Sequence, residues 1–287
     1  MPDLDAARQF VHSHGRLLER RRFELLYGDA PNNPELVVNA VAAYRNADGG
    51  FGLLEPDVRT PTSEPSAVLY AFEILEELPQ PPADLTTPAL DWIASIANPD
   101  GGIPFILPSA EGFAHAPWWA PADPAPSSLL MTAGVASVSY RLGLDHPWLT
   151  QANTYIWDQI RNLKLSDAYA FRYVVHFLSA VPDRARADAE LDVIRDRIPD
   201  DGVLKVEGGV EGETLGALEV APRPDDAGRR LFPDALIERE LAELAAGQKD
   251  DGGWDFDWAA WNPAVAWEWR GMVTLTALNT LKAYNKL

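Results

Sequence analysis

Apolar residues recur at three- and four-residue spacing through most of the chain, the mark of helices that bury one face. The pattern runs from Asp3 to Leu26, Glu35 to Arg45, Ser63 to Leu78 and Leu85 to Ala97. It resumes from Ser127 to Leu142, Pro147 to Leu163, Asp167 to Val181 and Arg184 to Ile198. Ser63 ahead of Glu64-Pro65, and Asp234 after Pro233, are expected helix starts, because a small polar cap or a proline suits the first turn. Ser127 to Ser139 is small and apolar on every face, which predicts a helix buried all round. Strand signals are scarce; Gly202 to Val206 is the best candidate, and it is short.

Between the helical runs a turn recurs. It reads Asn46-Ala47-Asp48-Gly49-Gly50-Phe51, Asn98-Pro99-Asp100-Gly101-Gly102-Ile103, Asp200-Asp201-Gly202-Val203 and Asp250-Asp251-Gly252-Gly253-Trp254. Glycines 49, 101, 202 and 252 are 52, 101 and 50 residues apart, a period of about 50 with one degenerate copy expected near Gly143 to Pro147. Aspartate bonds its own backbone in such turns, and glycine takes the positive φ that other residues avoid. Each unit is then two helices and two connections, and neither helix buries its apolar face without its neighbours. The pairs stack as an open solenoid or close into a ring.

Composition narrows the partners. The 287 residues suffice for one sizeable core, here expected to be a single domain over 1–287, and 47% apolar content is that of a globular chain. A net charge of −19 offers no broad basic field, which argues against nucleic acid or an anionic membrane as partner. Arg20-Arg21-Arg22 sits in a helical pattern and is expected to be a solvated face. With no cysteine, disulfides, thiolate nucleophiles and Cys-ligated zinc are excluded. The N-terminus lacks a basic segment followed by an apolar one, and no apolar run is long enough for a membrane span. A cytoplasmic location is expected, and the oligomeric state is left open.

Leu244, Gln248, Gly252 and Trp254 are spaced as in the core of the QW repeat of squalene cyclases and related prenyltransferase repeats, which this chain resembles. The other turns look like weakened copies, with Phe51 or Ile103 in place of Trp254. The segments GFGLLEPDVRTP, HAPWWAPADP, GGVEGE and DFDWAAW are similar to an actinobacterial prenyltransferase-like family. The resemblance implies an all-α fold, an α/α toroid in which a barrel of inner helices lies within a ring of outer ones, with repeats of about 50 residues.

In that fold the segments after the turns share one rim. They carry Glu55, Asp57 and Arg59; His115, Trp118 and Trp119; Glu207 and Glu211; and Asp255 and Asp257. The leading reading is a terpenoid-cyclase-like enzyme. Asp257 or Asp255 protonates an alkene or epoxide, helped by Glu55 and Asp57, and the faces of Trp254, Trp258, Trp261 and Trp119 stabilise carbocations. Trp118, His115, Arg59, Glu211, Glu268 and Arg270 complete the expected substrate-binding set. The chain departs from the families it resembles in several ways. Class II cyclases carry Asp-x-Asp-Asp, whereas Asp255-Phe256-Asp257 is followed by Trp258, and those enzymes usually pair two helical domains. Asp250-Asp251-Gly252-Gly253-Trp254 lacks the third acid of a magnesium-binding Asp-Asp-x-x-Asp motif. Protein prenyltransferases need a zinc-ligating cysteine, which is absent.

Each site residue also has a structural reading. Turn chemistry accounts for Asp250 and Asp251, the tryptophans suit a core, and Trp118-Trp119 either stacks on a ligand or plugs a barrel mouth. Glu268-Trp269-Arg270 also suits a structural ion pair. Gly208 to Glu213 is glycine-rich but lacks the lysine of a phosphate loop. His12 and His14 fall on different helix faces, and His176 reads as a core histidine. No cofactor is expected, with magnesium entering only if the substrate is a diphosphate. A glycosidase or lyase using paired carboxylates on a helical barrel is the second reading. A non-catalytic ligand- or protein-binding toroid is the third.

Overall fold

The computed structural model describes residues 1–28, 33–207 and 209–287; Gly208, the first residue of the glycine-rich segment, lies outside the described residues. The described chain is mostly helical and divides into two compact units, Met1–Asn33 with Lys164–Ser179 and Asp183–Leu287, and Pro34–Leu163 with Ala180–Pro182. The first unit holds α1 (Leu4–His14), α2 (Leu17–Tyr27), α8 (Ala168–Ala180), α9 (Arg184–Arg195), α10 (Ala217–Val220), α11 (Asp234–Ala246) and α12 (Pro263–Ala283). The second holds α3 (Pro34–Ala42), α4 (Pro65–Leu75), α5 (Ala83–Ile96), α6 (Leu129–Arg141) and α7 (Pro147–Ile160). The strands are two-residue pairs: β1 (Ile103–Pro104) with β2 (Ser127–Ser128), and β3 (Leu204–Lys205) with β4 (Thr214–Leu215), both antiparallel.

The helices follow the apolar periodicity, and their ends follow capping chemistry. Asp3 caps α1 by accepting from the Ala6 N–H at 3.0 Å, and Asn262 caps α12 by accepting from Val265 N–H at 3.0 Å with Pro263 in the first turn. Every residue of α6 from Met131 to Ser139 is buried. Its serines are tolerated because Ser137 and Ser139 donate to the Gly134 and Val135 carbonyls at 2.8 and 2.7 Å. Two expectations need correction. The run from Asp3 to Leu26 is two helices, broken at Gly15 and Arg16, where Arg16 turns its guanidinium back onto Glu19 at 2.8 and 3.0 Å. Arg22 of the basic triplet is buried, not solvated, beside the fully buried Glu19, whose carboxyl is pulled below its usual range by Arg16 and Arg22 against the cost of burial.

The recurring turn is one hydrogen-bonded object. Asn46, Asn98 and Lys249 each donate a backbone N–H to the second glycine's carbonyl at 2.8 Å, and Asp48, Asp100 and Asp251 each accept from that glycine's N–H at 3.0–3.1 Å. The first glycine of each turn has φ of +95°, +89° or +90° and lies against a helix: Gly49 on Pro88 of α5, Gly101 on Gln151 of α7, Gly252 on Ala6 of α1. Gln248 adds a reciprocal pair at the last turn, accepting from Asp3 N–H at 2.7 Å and donating to the Asp3 carbonyl at 2.8 Å. Gly143 is different. It ends α6, its N–H donating to the Tyr140 carbonyl at 3.0 Å, so it closes a helix and is no copy of the turn. Ser63 likewise does not cap α4: its hydroxyl donates to Asp48 at 2.7 Å, as Ser127 does to Asp100 at 2.7 Å. Both serines brace a turn.

Candidate functional site

In the second unit, the backbone after the first turn is clasped by the proline-rich segment. Arg59 N–H donates to the Ala114 carbonyl and Ala116 N–H to the Asp57 carbonyl, each at 2.8 Å, with Val58 bridged to His115. Under this clasp Glu55 and Asp57 are 1% and 3% exposed. Trp119 is buried and stacks on Phe105 with centroids 4.0 Å apart and planes 11° apart. Its neighbour Trp118 points outward. Sequence reasoning passed over Glu64, the residue preceding α4. Its buried carboxylate accepts from Leu107 N–H at 2.9 Å and Ser109 hydroxyl at 3.4 Å. Burial pushes it up to about 7, against the pull of those two donors. The signal available in sequence was a glutamate before Pro65 at the head of an apolar helix.

In the first unit, the candidate acids have different surroundings. Asp255 is exposed and ion-paired to Arg270 Nε at 2.7 Å and to Lys249 at 3.7 Å. Arg270 also grips Asp251 through two bonds of 2.7 and 2.9 Å and lies over the Phe10 ring at 4.6 Å. That bidentate pair pulls the Asp251 carboxyl down and pushes Arg270 up. Glu268 therefore does not pair with Arg270; it meets Arg16 at 3.5 Å. Asp257 is also exposed, and the desolvation it does meet, followed by the charge of Glu213, holds its carboxyl above the usual aspartate range against a backbone hydrogen bond.

Around Asp257 lies a carboxylate cluster that sequence reasoning did not single out. Glu213 accepts from the Tyr169 hydroxyl at 2.7 Å and from Val210 N–H at 2.9 Å. Burial and Glu213 push the Tyr169 phenol upward. Glu219 accepts from Gly216 N–H at 2.7 Å, and Glu240 of α11 accepts from Ala217 and Leu218 N–H at 3.1 and 2.9 Å. Burial lifts Glu219 to about 7; Gly216 N–H and Arg172 oppose this, while the charges of Asp257 and Glu240 reinforce it. A group titrating there both gives and takes a proton at neutral pH. The spacing of Gly216 to Glu219, a backbone donor and an acid three residues on, was the legible signal.

The tryptophans separate into kinds. Trp254 is buried, its indole N–H donating to the Leu244 carbonyl at 2.8 Å and its backbone N–H to Thr274 at 3.0 Å, so it serves the turn. Trp258 leans on Phe256 at 4.7 Å and meets Trp269 edge-on at 5.1 Å. Trp261 is half-buried, and its buried indole N–H has no acceptor among the described residues, leaving a donor for a water or a ligand oxygen. Glu211 is exposed. Among the described residues no group of three His, Asp or Glu side chains is arranged to hold a metal ion.

No protein-family model matches the sequence, and no curated protein matches it. Solved structures do. A protein from Actinoplanes matches with a TM-score of 0.62 at 15% identity, over 99% of this chain and 100% of that one. The type II terpene cyclase MstE from Scytonema matches with a TM-score of 0.57 at 12% identity, over 99% of this chain and 98% of that one. A variant of that cyclase in complex with geranylgeranyl dihydroxybenzoate, its substrate, matches at 0.59 with 14% identity, covering 99% and 97%. The chain shares the fold of these structures from end to end.

Proposed function

We propose that this protein is a terpenoid-cyclase-like enzyme that starts its reaction by protonating an isoprenoid or similarly apolar substrate, on one α/α-toroid domain of about 50-residue repeats. The observation that carries the reading is the end-to-end likeness to a type II terpene cyclase whose substrate bears a geranylgeranyl chain. Fold alone does not assign chemistry, so the assignment rests on residues that suit it. The recurrence of one turn against successive helices supports the repeat, and Asp257 beside Glu219 supports the acid. Two carboxyls close enough to feel each other's charge do not both ionise readily, so one keeps a proton.

In this reading Asp257 gives its proton to a terminal alkene carbon: the carboxyl O–H bond breaks, a C–H bond forms, and the cation appears on the neighbouring carbon. Trp258 and Trp261 present π-faces to that cation. Ring closure moves the charge, and loss of a proton from carbon returns a neutral, isomeric product without oxidant or reductant. Asp255, bound to two cations, has a positioning role through Arg270.

The test is incubation with a panel of polyprenyl substrates, including geranylgeranyl dihydroxybenzoate, with and without magnesium. The wild type is expected to form cyclised products, and Asp257→Asn to lose about two to three orders of magnitude in rate. Glu219→Gln should shift the acidic limb of the pH–rate profile more than it lowers the maximum. Wild-type rates in Asp257→Asn would remove that residue as the acid, and no turnover of any polyprenyl compound would remove the reading.

A further inference from the structure

Apart from the acids around Asp257, the first unit carries an open groove of about 610 Å³, whose lining includes Arg229, Arg230, Asp234, Ile237, Glu238 and Tyr284. That volume suits a small molecule. The groove is a different place from the carboxylate cluster. Glu238 and Glu240 are two residues apart on α11 and leave the helix in nearly opposite directions, and Glu240 is the one bonded to Ala217 and Leu218 N–H.

Charges in the groove are sorted by how firmly they are held. Arg230 is answered by α9, donating to Asp188 Oδ1 at 3.0 Å and to the Asp188 carbonyl at 2.7 Å. Arg229 is the exchangeable cation. Its Nη1 donates to the Phe232 carbonyl at 2.8 Å, which fixes the guanidinium, and its Nη2 reaches Asp234 at 2.6 Å. The Arg229 side chain is 16% exposed and that of Asp234 is 95% exposed, so solvent screens the pair and the aspartate is easily displaced. Glu238, one turn further along α11, meets Lys286 at 2.7 Å in a second exposed pair. Tyr284 directly follows α12, so the groove also lies at the negative end of a 21-residue helix. Burial pushes the Tyr284 phenol up, the charge and hydrogen bond of Arg229 pull it back, and Asp226 and Asp225 push it further up.

We propose that this groove binds a free α-amino acid as its zwitterion, with the carboxylate on Arg229 and the ammonium between Asp234 and Glu238. A bare anion is disfavoured, because the acids Asp226, Asp234 and Glu238 outnumber the two arginines of the lining. A bare cation competes with Arg229 for Asp234 and gives Arg229 nothing in return. A zwitterion meets both demands. Its carboxylate takes the place of Asp234 on the guanidinium, and the aspartate so released turns to the ammonium one carbon away. The end of α12 favours the same positive charge. Ile237 and the ring of Tyr284 form the apolar part of the groove, which suits an aliphatic side chain. The proposal is independent of the terpenoid reading, and its test contains no isoprenoid.

The experiment is calorimetric titration of the full chain at neutral pH with L-leucine, L-leucinamide and N-acetyl-L-leucine; the second lacks the carboxylate and the third the ammonium. Leucine should bind at millimolar concentration, and each analogue about tenfold more weakly, since each forfeits a charge-assisted contact. Arg229→Gln should weaken leucine about tenfold and leave leucinamide nearly unchanged. Glu238→Gln changes an exposed side chain that the fold does not need, so it keeps the test open should Arg229→Gln fail to fold. It should weaken leucine and tighten N-acetyl-leucine, because it removes an acid from the lining. No binding of leucine, an analogue that binds as well as leucine, or a Glu238→Gln variant that matches wild type toward all three compounds would each overturn the proposal.

Discussion

The segments that follow the first and last turns start alike and end in opposite electrostatics. Phe51 and Trp254 are both buried immediately after their glycine pairs. The first segment ends at Glu64, whose N–H donates to the Phe51 carbonyl at 2.9 Å. The last ends near Arg270, whose carbonyl accepts from Thr274 at 2.7 Å, while the same hydroxyl accepts from Trp254 N–H at 3.0 Å. One segment therefore finishes on a buried acid and the other on a cation. With Arg270 present, Asp251 and Asp255 stay at the surface as ion pairs. In the other segment Glu55, Asp57 and Glu64 are all buried, and Glu64 rises to about 7. The turn fixes the backbone, and the residue that answers it decides whether the acids beside it are held in ion pairs, as Asp251 and Asp255 are, or buried, as Glu64 is.

The part the two segments share is the most sensitive to change. A Cβ at Gly252 would overlap the Ala6 carbonyl of α1, and one at Gly49 would lie 2.6 Å from the Pro88 carbonyl, both at positive φ. Gly252→Ala and Gly49→Ala should each cost about 3 kcal/mol, since neither backbone contact has a flexible side chain that can yield. Urea unfolding of the two variants checks this. A loss confined to one of them would mean that the turns are not equivalent.

The next effect separates the segments by pH. Glu64 binds its proton more tightly folded, at about 7, than at the ordinary 4.5. Its contribution to stability is therefore complete below about 4.5 and is lost as pH rises through about 7, a difference of at most about 3 kcal/mol. Glu64→Gln keeps an acceptor for Leu107 and Ser109 but cannot ionise. It should match wild type near pH 4.5 and be the more stable protein at pH 8, by urea midpoints at the two values. Parallel pH profiles for the two proteins would mean that Glu64 does not titrate across this range.

Periodicity made most of the helices legible, because each buries a stripe, and the Asp-Gly spacing made the turns legible, because only that chemistry satisfies them. What periodicity missed is instructive. The break at Gly15 is invisible to an apolar count that continues through it. The displaced copy near Gly143 followed from assuming a strict interval, where the chain instead ends a helix. Among the candidate acids, Asp255 and Asp257 were singled out because they stand outside the repeated turn. Glu64, Glu213 and Glu219 were not, since burial and neighbours, rather than residue type, give an acid its proton affinity. Spacing alone also suits an ion pair of Glu268 with Arg270, whereas the fold brings Arg270 to the rim acid Asp255 and to Asp251, 19 residues away.

Arg270 allows a finer test of the last segment. Arg270→Lys keeps the charge but loses the planar fork that grips Asp251 twice and lies over Phe10, so it should cost about 1–2 kcal/mol. The same substitution should lower the rate of any cyclisation more than Asp255→Asn does, because it releases both aspartates at once. Equal stability of Arg270→Lys and wild type would reduce the guanidinium to a point charge.

Asp251→Asn should have the smallest effect, and its value lies in its sign. Arg270 holds the Asp251 carboxyl below its ordinary 3.8, so its stabilisation is present above that value and is lost as pH falls through the lower, folded one. This is the reverse of Glu64. Because the Asp251 side chain is 43% exposed, solvent screens the pair, and the loss at neutral pH should be about 0.5 kcal/mol. The asparagine also keeps an oxygen for the Gly253 N–H, so the turn itself survives. Thermal unfolding of Asp251→Asn and Glu64→Gln across the same pH series should give difference curves of opposite slope. If both slope the same way, the residue answering the turn does not set the local electrostatics.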